Sequence, residues 1–134
     1  MTSSTAPSSE SIVRGWYETR ARGQYEDFWR EHVADGVVYH LPARNPLGGD
    51  HRGKEAVRGW LDALDKRSGG TFGIEVRDVA LTREGAVALL RVTAERLGRH
   101  LDSKQAHVFE IEGGQITHIW VYGYDRYAID EFWS

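Results

Sequence analysis

The chain has 134 residues, with 17 Lys and Arg against 20 Asp and Glu, a formal net charge of −3 and no cysteine. A length of this order fits one domain that buries roughly two thirds of its unfolded surface, and the lack of cysteine excludes disulfides, thiolate metal sites and cysteine nucleophiles. The charges are interspersed rather than blocked, so no footprint for nucleic acid is expected, and no run approaches the ~18 apolar residues of a membrane span.

The opening "MTSSTAPSSE" is polar and lacks the basic and apolar regions of a signal peptide. Residues 1–10 are therefore expected to be a disordered tail, residues 11–134 a single domain, and the location cytoplasmic. Ile12, Val13, Trp16 and Tyr17 recur at helical spacing between the capping serines of "SSES" and Gly23, which predicts a helix over 11–21. "GQYEDFWREHVADG" sets Tyr25, Phe28, Trp29 and His32 or Val33 on one face of a second, short helix that ends at Asp35 and Gly36.

Val37 to Leu41 is a β-branched and aromatic run closed by Pro42, hence a strand, and a turn-rich loop follows through Arg52. Residues 53–66 carry Val57, Trp60, Leu61 and Leu64 at i, i+3, i+4 and i+7, a third helix ended by "RSGG". Beyond Gly70 come "TFGIEVRDVALT", "AVALLRVTAERL", "SKQAHVFEIE" and "QITHIWVYGY", separated by turns of hairpin length, which predicts a four-strand antiparallel meander. Helices ahead of such a sheet predict an α+β fold, with three N-terminal helices on one face of a curved antiparallel sheet. The long, bent sheet makes a cone whose open end can hold a ligand.

This element order, with "VVYHLPARNPLGGDHRGKEAV" and the ending "GGQITHIWVYGYDRYAIDEFW", resembles the nuclear transport factor 2-like superfamily, and within it the SnoaL-like polyketide cyclases. The resemblance covers residues 11–134 and implies a cystatin-like α+β roll with one cone-shaped pocket and neither metal nor organic cofactor. It does not imply one reaction, because the superfamily also holds ketosteroid isomerase, epoxide hydrolases, dehydratases and binding modules. Where the isomerase has its basic aspartate before the strand-ending proline, this chain has Leu41; the isomerase's oxyanion tyrosine and protonated aspartate correspond to Trp16 and His107. The epoxide hydrolase Arg-x-Asp corresponds to Arg91 and Thr93, and its last-strand acid to Tyr122, so both carboxylates are replaced. SnoaL-type cyclases share the histidine at 107, but their last-strand acid again falls on Tyr122; Asp125 reads as structural.

If His107 faces the cone, strand alternation brings Gln105, Phe109 and Ile111 with it. The candidate catalytic set is His107 as acid or base, Tyr122 as oxygen-holding donor and Arg91 as anion clamp, or else a strand arginine paired with Glu75, Glu95 or Asp125. The candidate pocket walls are Trp16, Tyr39, Leu41, Thr93, Phe109, Trp120 and Tyr124, with His40 on the opposite face. The six histidines lack close metal-ligand spacing, so no metal is expected.

Two functions fit. One is a cofactor-independent enzyme on a small hydrophobic oxygenated molecule, polyketide-like or terpenoid-like, performing cyclase, isomerase or dehydratase chemistry. The other is a non-catalytic small-molecule-binding or assembly module that has lost its carboxylates. As the resemblance implies, the outer sheet face is expected to pair two copies into a homodimer through Val108, Glu110, Thr117, Ile119 and Val121.

Overall fold

The computed structural model describes residues 7–134 and holds four helices and six strands among them. In chain order they are α1 (Ser9–Arg22), α2 (Glu26–His32), β1 (Val33–Leu41), β2 (Gly49–Arg52), α3 (Lys54–Arg67), β3 (Gly73–Leu81), β4 (Gly85–Arg96), β5 (Arg99–Glu112), β6 (Gln115–Gly123) and α4 (Arg126–Trp133). Residues 1–6 of the expected tail lie outside the described residues. Of the rest, Ser8 caps α1 by accepting from the Ser11 N–H, so the helix begins two residues before the expected start. At its other end Gly23 adopts φ 69°, the left-handed conformation that lets its N–H bond back to the Arg20 carbonyl.

The sheet order is β2-β1-β6-β5-β4-β3. All neighbours are antiparallel except β1 with β6, so the expected antiparallel sheet is mixed at one place. The meander β3 to β6 forms as its turns predict, and its last strand then docks a free edge on β1. That strand starts at Val33, four residues earlier than expected, and shifts register between Val33 and Val38. The loop before α3 also contains the short β2, which returns antiparallel along β1.

The inner face of the sheet is apolar and small where helices approach. Ala86, Ala88, Leu90, Val92 and Ala94 alternate inward along β4, and Ile12, Val13, Trp16 and Tyr17 come down on them from α1. Phe109 is fully buried beneath Trp16 and Tyr17, edge-on to both rings. The helix absent from the expected three is α4. Asp125 caps it through the Ala128 N–H, which makes this aspartate structural, and Phe132 and Trp133 bury its inner side. No described helix is long and apolar enough to cross a membrane.

On β6 the facing differs from the expectation. Ile116, Ile119 and Val121 are buried, while His118, Trp120 and Tyr122 take the outer face. Thr117 is the extra residue at a register shift between Ile116 and His118, and its hydroxyl donates to the Glu110 carbonyl. The strip expected to receive a second copy therefore gives up Ile119 and Val121 to the core, keeping Val108 and Glu110.

Gly85 opens β4 where a Cβ would collide with the Phe109 carbonyl. Gly85→Ala is expected to cost about 1–3 kcal/mol, read as a lower urea midpoint with an unchanged m-value.

Candidate functional site

A cavity of about 300 Å³ opens between the inner sheet face, α1, α3 and α4. Its walls are largely aromatic and aliphatic, Trp16, Trp60, Phe72 and Trp133 among them, and its inner polar groups are Tyr17, Gln105 and His107. Burial makes those polar groups consequential. His107, only 4% exposed, receives the Tyr17 hydroxyl at Nδ1 over 2.6 Å and reaches Gln105 Oε1 from Nε2 over 3.0 Å. An amide oxygen only accepts, so the imidazole hydrogen sits on Nε2 and Nδ1 accepts from tyrosine.

Burial also sets the protonation states. His107 is held down to about 3 because the buried site disfavours imidazolium. The Tyr17 and Tyr39 hydroxyls are both raised, chiefly by the same loss of hydration. The chain of groups is thus neutral at physiological pH, and each side chain is fixed as a donor or acceptor rather than as a charge. Tyr39 lines the same cavity against Trp60, with its hydroxyl free of a hydrogen-bond partner among the described residues.

Two charged residues of the cavity have structural ties. Arg20 bonds the Leu61 carbonyl and Asp65 and lies over the Phe72 ring. Asp130, on α4, accepts from the Arg44 N–H and the Asn45 side-chain amide through Oδ1, which pins the loop after β1 and leaves Oδ2 free of a partner among the described residues. That loop is further held by Trp60 Nε1 donating to the Leu47 carbonyl. Among the described residues Asp130 is the one carboxylate lining the cavity.

Of the residues expected at the site, His107, Trp16, Tyr39 and Leu41 line the cavity. Phe109 lies underneath, in the core. Arg91 points to the outer face and pairs with Asp102 through two guanidinium nitrogens, Nε at 2.9 Å and Nη2 at 2.6 Å. That bond raises the arginine and lowers the Asp102 carboxyl. It makes Arg91 a surface pair and not a ligand clamp, and its partner is none of the three carboxylates expected. Thr93 lies on the same outer row of β4, opposite Asp102. Trp120 stacks on His40 and His118 outside the sheet. Tyr124 is 89% exposed beyond the end of β6. Tyr122 borders the cavity but is 53% exposed, and Val121 takes the place opposite His107.

The residues missed are Tyr17, Gln105 as a partner of His107, and Asp130. Tyr17 stands one position beyond Trp16, and a helix turns 100° between neighbours, so only docking decides which ring reaches the imidazole. For Asp130 a signal existed: Ile129, Phe132 and Trp133 form a helical stripe that places position 130 at its edge. Among the described residues no three His, Asp or Glu side chains converge as a metal site.

Residues 13–119 match the SnoaL-like domain family. The uncharacterized protein Rv0034 of Mycobacterium tuberculosis is 29% identical over 124 residues, covering 92% of this chain and 94% of that one. Among solved structures, Bal32a from a soil-derived mobile gene cassette superposes with a TM-score of 0.88 at 31% identity, covering 94% of this chain and 96% of its own. A putative SnoaL-like polyketide cyclase from Jannaschia sp. CCS1 superposes with a TM-score of 0.76 at 18% identity, over 100% and 96% of the two chains.

The imidazole has a measurable signature in stability. In the unfolded chain His107 titrates near its ordinary 6.5, and in the folded chain near 3, so between these values the unfolded state binds the extra proton. Stability is expected to fall as pH drops from about 6.5 toward 3, by an amount on the order of 5 kcal/mol. His107→Gln removes this component, so urea unfolding of the variant from pH 7 to 4 is expected to show a shallower pH slope than the parent.

Proposed function

The chain belongs to the SnoaL-like domain family, and from that premise we propose that it catalyses proton transfer on a small, hydrophobic, enolisable carbonyl compound without a cofactor. The supporting observation is the neutral Tyr17–His107–Gln105 chain buried in an otherwise apolar cavity. A substrate oxygen entering there takes the Tyr17 O–H once the imidazole hydrogen moves to Nδ1 and Gln105 turns its N–H toward Nε2. The imidazole then donates to the tyrosine oxygen, and the relay polarises the carbonyl while remaining neutral. Low local dielectric strengthens such bonds as charge develops on the substrate oxygen.

Both ring nitrogens of His107 are engaged, by the Tyr17 hydroxyl and by Gln105, so neither is open to a substrate carbon. The proton acceptor in this reading is Asp130, which lines the same cavity and keeps Oδ2 free of a partner among the described residues. Its carboxylate takes a proton from the carbon beside the carbonyl, giving an enolate held at Tyr17. Return of the proton to another carbon is isomerisation, attack on a second carbonyl is cyclisation, and loss of a β-hydroxyl is dehydration. The apolar walls suit a polyketide-like or terpenoid-like skeleton.

A second reading rests on the same imidazole. With no histidine in the cavity poised near neutral pH and a single carboxylate that also anchors a loop, the pocket suits a binding module that holds an oxygenated ligand and leaves it unchanged.

Proton exchange separates the two. Aryl ketones and 1,3-diketones incubated with the protein in D2O are expected to exchange their α-protons faster than in buffer, followed by NMR. Asp130→Asn and Tyr17→Phe are each expected to slow that exchange by about 10²-fold. Equal rates in parent and variants overturn the assignment, and tryptophan quenching by these ketones without exchange above buffer establishes the binding module.

A further inference from the structure

Tyr39 carries a hydroxyl that the fold itself does not use. It stands on β1 beside Ile119 of β6, faces the core and is only 3% exposed. Its ring is held by two others, with centres 4.5 Å away at Trp60 and 6.5 Å away at Trp16. The sealed side-chain atoms without a partner among the described residues are Nε of Arg58 and Nε of Arg67, neither of them on the cavity. A sealed Tyr39 hydroxyl would be a third such atom. Tyr39 is a wall residue, and its oxygen opens on the cavity instead. A phenylalanine would pack against the same rings without the cost of stripping a hydroxyl of water, so the O–H has its use toward whatever fills the cavity.

The Tyr17 hydroxyl reaches the same region, close enough that charge on Tyr39 acts on it. Tyr39 rises from β1, whereas Tyr17 is tied to His107 on β5, and β6 runs between those two strands. At ~4.8 Å per strand they are roughly 10 Å apart, and the aliphatic Val121 of β6 lines the cavity between them. A ligand lying across Val121 therefore meets a hydroxyl from each side.

We propose that Tyr39 is a specificity-determining residue, a second oxygen anchor that makes the cavity select ligands with two carbonyl oxygens, one held at the Tyr17 end and one at Tyr39. The proposal rests on the proton-transfer reading for its assignment of the Tyr17 end to the reacting carbonyl. Burial keeps the Tyr39 hydroxyl protonated far above neutral pH, with the Arg20 charge acting more weakly in the opposite sense, so it offers a hydrogen and no charge. A neutral donor among apolar walls suits a ketone oxygen better than a carboxylate, and Arg20, the cation that would suit a carboxylate, is already paired with Asp65. A ligand with one oxygen can turn about its single hydrogen bond. Two anchors fix its carbon skeleton, which is the positioning that a proton transfer needs.

The test measures binding alone, by tryptophan quenching of the full chain, since Trp16 and Trp60 flank Tyr39. Two pairs of probes are compared: 2,2-dimethyl-1-phenylbutane-1,3-dione with 2,2-dimethyl-1-phenylbutan-1-one, and 1-phenylpentane-1,4-dione with 1-phenylpentan-1-one. In the parent, a readout that needs no variant to fold, at least one dione is expected to bind about threefold or more tighter than its monoketone. Tyr39→Phe is expected to weaken that dione by about 3–10-fold, the worth of one hydrogen bond, and to leave the monoketone within about twofold. Its urea midpoint is expected to be no lower than the parent's, because no bond within the protein is lost. Equal or weaker binding of both diones in the parent, a dione preference that survives Tyr39→Phe, or a lowered midpoint overturns the anchor. Exchange of α-protons in D2O tests the proton-transfer reading separately. Exchange without a dione preference overturns the anchor alone, and a dione preference without exchange leaves the anchor standing in a binding module.

Discussion

The register of β6 is the constraint on which both sides of this molecule depend. It is paired antiparallel to β5 along one edge and parallel to β1 along the other, and neither neighbour allows it to slide. A shift of one residue in a strand exchanges every side chain between faces. Here the chosen register puts Val121 opposite His107, closing the cavity with an aliphatic wall, and sends His118 and Trp120 outward to meet His40. The extra residue at Thr117 lets Ile116 and Ile119 both point inward although they are three positions apart.

Inside, the chemistry follows from burial more than from residue type. An exposed histidine is a switch at neutral pH, whereas His107 is stripped of water and kept neutral, which turns it from a base into a joint in a hydrogen-bonded chain. The same bond joins α1 to β5, so the relay also fixes how the helix lies on the sheet. Ordering that chain in an apolar setting is favourable because every member finds a partner; one unsatisfied nitrogen there would cost about 1–3 kcal/mol. Asp130 is fixed in a similar way, since its Oδ1 holds the loop that borders the cavity.

Outside, the sheet is polar in pairs rather than in patches. Arg91 with Asp102 on neighbouring strands is an exposed ion pair of the kind that contributes little to stability. The His40, His118 and Asp50 group differs, because an aromatic ring packs along both imidazoles and restricts them. One sheet thus separates two polar groups by its own thickness, His107 with Tyr17 and Gln105 buried on one side, His40 with His118 and Asp50 on the other.

Much of the fold is legible in the residues alone. The apolar spacing of Ile12, Val13, Trp16 and Tyr17, the capping residues, and the glycine-rich turns of the meander are local signals, and local physics settles them. That Gln105, His107 and Phe109 share one face is legible as well, from the alternation of β5. What the sequence leaves open on β6 is its face, because "ITHIWVYGY" offers an aliphatic row and an aromatic row and alternation ranks neither above the other. Docking on β1 and β5 chose the aliphatic row for the core, and with that choice Trp120 moved outside the sheet and Tyr122 to the cavity's exposed border. The meetings of Tyr17 with His107, 90 residues apart, and of His40 with His118, 78 apart, leave no trace in local pattern. The sequence by itself determined α1, α3 and the meander β3 to β6, whose signals are local, and tertiary pairing decided which side chains share a site, since pairing acts between strands whose separation along the chain carries no periodicity.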